Sequence, residues 1–235
     1  MAATTQLALP MADLEADATI GSVERRAEGR GHARIVGVDE VGRGALVGPV
    51  VAAAAWVPPA ARERLLEAGL RDSKRLTARQ RERLAGLVRE VAIVALGEAA
   101  AAEIDRTDIR RATFEAMRRA LRALCEQLDA RPDLLLVDGR ERIEPSPWPE
   151  VAQLPVVGGD DRSVSIAAAS VVAKVHRDAL MVSYEARFPG YGFARHKGYG
   201  TAAHREALAR LGPSPEHRHS FAPVRAAAER RKTKS

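Results

Sequence analysis

Residues 35–44 read Ile35-Val36-Gly37-Val38-Asp39-Glu40-Val41-Gly42-Arg43-Gly44. An apolar run ends in two adjacent carboxylates and passes at once into a Gly-Arg-Gly loop. The Val and Ile content predicts a buried strand. Two acids at its end lose hydration and repel each other unless a cation neutralises them. The glycines let backbone N–H groups come close to a ligand. A hard divalent metal beside a phosphate-bearing molecule satisfies both features, which points to phosphodiester chemistry.

Two further apolar runs end in acids, at Asp138 and at Asp160. In an open α/β sheet such ends can converge on one edge and build a site there. Four carboxylates with no His or Cys at ligand spacing suit Mg²⁺ or Mn²⁺ better than zinc. A single Asp after a strand is commonly a turn or cap residue. Three strand-end sites in one chain weaken that reading.

Around these ends the pattern alternates strands with helices. Strands are expected at 34–40, 46–57, 91–96, 134–137 and 154–157. Helices are expected at 60–68, at 78–90 behind the N-cap Thr77, at 163–185 and at 201–210. The clearest amphipathic helix is 108–128, where Ile109, Thr113, Met117, Leu121, Leu124 and Leu128 share one face. Residues 166–170 are small-sided, which lets a helix lie close to a sheet. Residues 140–153 and 189–200 read as loops. The class is α/β with a mixed sheet. Residues 1–33 read as a flexible N-terminal arm with room for one short helix, and 226–235 as a disordered basic tail. Met11 is a second possible start.

The chain has 235 residues, 46% of them hydrophobic, which fits one sizeable domain. The formal charge of +6 suggests a polyanionic partner, or only a solvated arginine-rich surface. The single cysteine, Cys125, excludes an internal disulfide and a cysteine-based zinc site. It sits among leucines and reads as a small buried hydrophobe. No membrane-spanning run or secretory leader is evident, so the expected setting is reducing and cytoplasmic.

The chain resembles the bacterial ribonuclease HII family, the type 2 ribonucleases H. The residues that carry the resemblance are 38–44 with 48–51, 72–77, 137–139, 159–160 followed by 165–174, Tyr191 through Thr201, and 214–224. The resemblance spans about residues 34–225. It implies an RNase H-like fold, a mixed sheet flanked by helices with a C-terminal helical segment, in one catalytic domain. It implies a monomer that acts on RNA–DNA hybrids and on duplex DNA containing ribonucleotides, cutting on the 5′ side to leave a 3′-hydroxyl and a 5′-phosphate. Such an enzyme would serve ribonucleotide removal from DNA.

By motif, Asp39, Glu40, Asp138 and Asp160 match the metal-ligating acids, for Mn²⁺ or Mg²⁺, two ions during catalysis. Gly42, Arg43 and Gly44 match the loop that reads the 2′-hydroxyl and the adjacent phosphate. Tyr199 matches the tyrosine that packs on the sugar. Lys74 and Lys174 match family lysines that could touch phosphates, although the Lys174 stem could equally be packed. Arg43 could instead pair with a nearby acid. His196, Lys197 and His217 could sit near nucleic acid, but read more simply as exposed loop residues. The sequence departs from the family pattern at Ala45, where proline is usual, and at Gly158, where lysine is common.

Overall fold

A computed structural model describes residues 19–232. Its centre is a mixed five-stranded sheet in the order β3-β2-β1-β4-β5. Strands β1 (Ile35–Val41), β2 (Val50–Trp56) and β3 (Ile93–Ala99) pair antiparallel. Strands β4 (Leu134–Asp138) and β5 (Ala152–Val156) continue the sheet in parallel from β1. Strands β1, β2 and β4 are near-continuous apolar runs because helices cover both of their faces.

Strand alternation sorts the core into two layers. Val36, Val38, Ala52, Ala54, Leu135 and Val137 face helix α5 (Ile109–Leu128) and its buried Met117, Leu121 and Leu124. Val51, Ala53 and Ala55 face helices α3 (Ala78–Val91) and α6 (Val164–Arg187). Glycine sets the closeness of both helices. A Cβ on Gly97 would fall 2.1 Å from the Ala116 carbonyl of α5, and one on Gly37 would fall 2.3 Å from the Ile166 nitrogen of α6. The small residues 167–170 are buried against the sheet as their size predicts. Thr77 caps α3 with a full capping box through Gln80, Asp108 caps α5 and Ser163 caps α6.

Several boundaries differ from expectation. The second apolar run becomes a strand only from Val50, because Gly48 takes a left-handed conformation (φ 77°) just before Pro49. Its first part makes an isolated bridge instead, Val47 to His217, next to a second from Ala45 to Tyr199. The 189–200 loop contains one helical turn, α7 (Phe193–His196), seated on the buried Phe193. Helix α4 (Ala101–Arg106) was not foreseen; α2 (Pro59–Glu67) and α8 (Ala202–Leu211) were, to within a residue or two.

The described parts of both terminal stretches include a helix. Helix α1 (Ser22–Glu28) buries Val23 and Ala27 against Ile35, Leu134 and Leu136. Helix α9 (Ala222–Lys232) runs through most of the stretch expected to be a disordered tail, because Val224 is buried against Leu46 and Leu208 and Ala227 packs beside it. Residues 1–18, including Met11, lie outside the described residues. Cys125 is half-buried on α5. Among the described residues no helix is long and apolar enough to cross a membrane.

The Gly37 contact makes a stability prediction. Gly37→Ala places a methyl group against backbone atoms that cannot rotate away, and should cost about 3 kcal/mol. Urea unfolding of both proteins checks this; a midpoint within error of wild type would refute the packing argument.

Candidate active site

The parallel register of β1 and β4 pairs Val38 with Val137, so the next residues, Asp39 and Asp138, stand side by side at the carboxyl ends of adjacent strands. Period-2 alternation turns Asp39 to the α6 face, where Ser170 lines the same cleft. Glu40 follows at the end of the same strand. Beyond β5 the chain turns through Gly158 in a left-handed conformation and makes one 3₁₀ turn, Gly159–Asp161, which carries Asp160. The Gly159 N–H donates to Asp138 Oδ1 at 2.8 Å and ties the turn to the end of β4.

An open cleft of about 410 Å³ lies over these ends. Asp39, Glu40 and Asp138 line it with the 42–44 loop, Lys74, Lys174 and Tyr199. Asp160 is joined to it through Lys74, whose Nζ lies 3.4 Å from Asp160 Oδ2 and 4.0 Å from Asp72 Oδ1. Lys174 is held by Asp178 at 2.7 Å, one turn along α6. Arg43 reaches Glu40 at 3.4 Å, but its side chain is 43% exposed. Such a pair holds weakly, so the guanidinium is free to swing to another anion. Asp72 bonds the Lys74 amide and so orders its own loop.

The acids share a field that disfavours their charge. Burial pushes Asp39 well above the ordinary carboxylate range, and Asp138 and Glu40 add repulsion. Burial also raises Glu40 against the opposing pull of Arg43, and raises Asp138 against the Gly159 hydrogen bond. Asp160 is pushed up to about 6, by burial first and then by Asp138 and Asp72, with Lys74 opposing. Among the described residues no three His, Cys, Asp or Glu side chains are arranged to hold a metal ion as they stand. The donor set nevertheless fits a hard cation. All four candidates are oxygen donors, and a divalent charge would offset both the burial and the mutual repulsion that raise them. Turning a carboxylate to another rotamer costs little beside that gain.

Two arginines to which the sequence reading assigns no role shape the 42–44 loop, one of them inside the 214–224 motif. Arg177 and Arg218 are both fully buried. Arg177 donates to the carbonyls of Val47, Pro49 and Lys197 at 3.1, 3.3 and 2.8 Å. Arg218 donates to the carbonyls of Gly48 and Arg43, both at 2.9 Å, and its Nη2 has no partner. Gly42 must be glycine here, since its Cβ would meet Arg177 Nε at 2.1 Å and its φ is 91°. Burial pushes the Arg218 guanidinium down to about 9, with Arg177 adding repulsion. By consuming loop carbonyls these cations put positive charge beneath the loop. An isolated arginine in sequence gives no signal for such a role.

Tyr199 is 37% exposed over the cleft, with Arg177 beneath its ring at 5.7 Å. Its backbone is set by a histidine chain. The Ser214 N–H donates to His217 Nδ1 at 2.9 Å, so His217 carries its hydrogen on Nε2 and donates to His204 Nε2 at 3.1 Å. His204 then donates from Nδ1 to the Tyr199 carbonyl at 2.9 Å. His217 is therefore fully buried rather than an exposed loop residue, because its Nδ1 satisfies the 214–217 turn.

This chain requires neutral rings. Burial pushes His204 down to about 4 and His217 down to about 3. Between pH 6.5 and about 3 the unfolded chain binds protons that the folded chain refuses, so the stability these rings contribute is present above pH 6.5 and lost as pH falls. The unfolding free energy of wild type relative to His217→Gln should fall by roughly 1.4 kcal/mol per pH unit below pH 6.5. A difference that is flat with pH would refute the neutral assignment.

The ribonuclease HII sequence profile matches residues 36–224. The chain is 52% identical over 203 residues to ribonuclease HII of Syntrophotalea carbinolica, covering 86% of this chain and 91% of that protein. It is 53% identical over 211 residues to ribonuclease HII of Rhodospirillum rubrum, covering 89% and 91%. The crystal structure of ribonuclease H2 from Pyrococcus horikoshii superposes with a TM-score of 0.74 at 25% identity, over 85% of this chain and 99% of that one. Bst-RNase HIII in complex with Mn²⁺ shares the fold at a TM-score of 0.72 and 23% identity, over 87% and 73%.

Proposed function

The chain belongs to the ribonuclease HII family and is a ribonuclease H, a phosphodiester hydrolase; we propose that it hydrolyses the RNA strand of RNA–DNA hybrids and incises duplex DNA on the 5′ side of an embedded ribonucleotide. The observation that carries this reading is the shared cleft, in which Asp39, Glu40 and Asp138 face the 42–44 loop and Tyr199.

Asp39, Glu40, Asp138 and Asp160 would hold Mn²⁺ or Mg²⁺, in two ions during the reaction. Divalent metal at such a site polarises a phosphate and supplies hydroxide at neutral pH. The chain's own groups do the rest. The 2′-hydroxyl both donates and accepts, and it alone separates RNA from DNA locally. Backbone groups of Gly42 and Gly44 can meet both needs at close range. Arg43, released from Glu40, would clamp a phosphate bidentately. The exposed face of Tyr199 would pack on the neighbouring deoxyribose and disfavour an extra hydroxyl there. Lys74 offsets the charge of Asp160 and would take a phosphate once metal occupies that carboxylate; Lys174 is a weaker candidate, since Asp178 already holds it. Products would carry a 3′-hydroxyl and a 5′-phosphate. We place the protein, as a monomer in the cytoplasm, in ribonucleotide removal from DNA.

Asp138→Asn keeps the acceptor for Gly159 and removes only the charge. It should lower kcat on a duplex carrying one ribonucleotide by about 10³-fold, the equivalent of several kcal/mol of transition-state stabilisation. Gel-resolved cleavage with Mg²⁺, Mn²⁺ or chelator, beside an all-DNA control, checks the activity and the site together. Cutting that survives chelation, or equal cutting of the control, would overturn the reading.

A further inference from the structure

Helix α1 precedes the stretch matched to the family profile, yet it holds the segment that follows Asp160. Glu24 is fully buried. Its Oε1 accepts from the Ser163 hydroxyl at 2.7 Å and from the Ser165 N–H at 2.9 Å. These groups form the first turn of α6, where a carboxylate satisfies orphan donors and faces the positive end of the helix dipole. Ser163 also donates its N–H to the Gly159 carbonyl at 2.7 Å, and the Gly21 N–H donates to the Arg162 carbonyl at 2.9 Å. The 3₁₀ turn bearing Asp160 is therefore held from both sides, by Asp138 through Gly159 and by α1 through Ser163 and Arg162.

Glu24 Oε2 is buried without a hydrogen-bond partner. A leucine would cover the same surface without burying a charge, so packing alone does not explain the carboxylate. We propose that Glu24 is a positioning residue that fixes Asp160 against Asp138, and that α1 is a working part of the catalytic domain. The proposal rests on the reading of Asp160 as part of the metal site.

The test compares Glu24→Ala and Glu24→Gln with Val23→Ala, which removes buried surface from the same helix but leaves the hydrogen bonds of Glu24 to Ser163 and Ser165 in place. The readouts are Tm without divalent cation, the rise in Tm with Mn²⁺, and kcat and KM on an RNA–DNA hybrid at a temperature where all are folded. Glu24→Ala should lose at least tenfold in kcat with KM within twofold, and should lose much of the Mn²⁺-induced rise. Glu24→Gln keeps an acceptor oxygen and should recover most of both. Val23→Ala should lower Tm alone. Should Glu24→Ala not fold, Glu24→Asp, which withdraws the carboxylate by one methylene, carries the same comparison. An unchanged Mn²⁺ response in the Glu24 variant, or an equal loss of kcat in Val23→Ala, would overturn the proposal. If wild type cuts no hybrid the functional reading fails, while the Mn²⁺ response still judges Glu24.

Discussion

The site depends on one unfavourable interaction, the repulsion among carboxylates held at the carboxyl ends of β1 and β4. The sheet imposes it. Once Val38 pairs with Val137, Asp39 and Asp138 have no freedom to separate. The strain is tolerable because the surrounding contacts are plentiful and apolar, with both faces of β1 sealed by helices. A folded core thus keeps negative charges together for a cation to meet, which an unfolded or loosely packed chain would not do.

Positive charge is managed in the opposite way. Arg177 and Arg218 are buried against backbone carbonyls rather than acids. Removing either would strand carbonyls and open space beneath the 42–44 loop. The same economy governs Tyr199. Its carbonyl is fixed by His204, which is fixed by His217, which is fixed by the 214–217 turn. A surface aromatic and a surface loop are in this way referred to the rigid interior, and cleft-facing atoms need not be ordered when a ligand arrives.

Much of this was legible in the residues. The Val-rich runs fixed the strands, the 3.6-residue spacing fixed α5, and Thr77 with Gln80 fixed the start of α3. The acids at strand ends pointed to phosphodiester chemistry, and the motif order named the family. Misreadings fell where long-range contacts override local preference. Residues 46–49 are apolar yet form no strand, because Gly48 and Pro49 turn them toward Tyr199 and His217. Residues 226–232 are basic yet helical, because Val224 and Ala227 give α9 a face to bury.

By itself, then, the sequence determined the element types, the α/β class, the candidate acids and the glycine loop, since each is written in local pattern or in residues that permit one chemistry. Only the tertiary structure decided which acids face one cleft, that Lys74 bridges to Asp160, that Arg177, Arg218 and the paired histidines lie inside, and that Glu24 grips the first turn of α6. Those outcomes depend on contacts across up to 175 residues of chain. Local propensity carries no information about such contacts, because their energy exists only after the sheet and its two helical layers have closed.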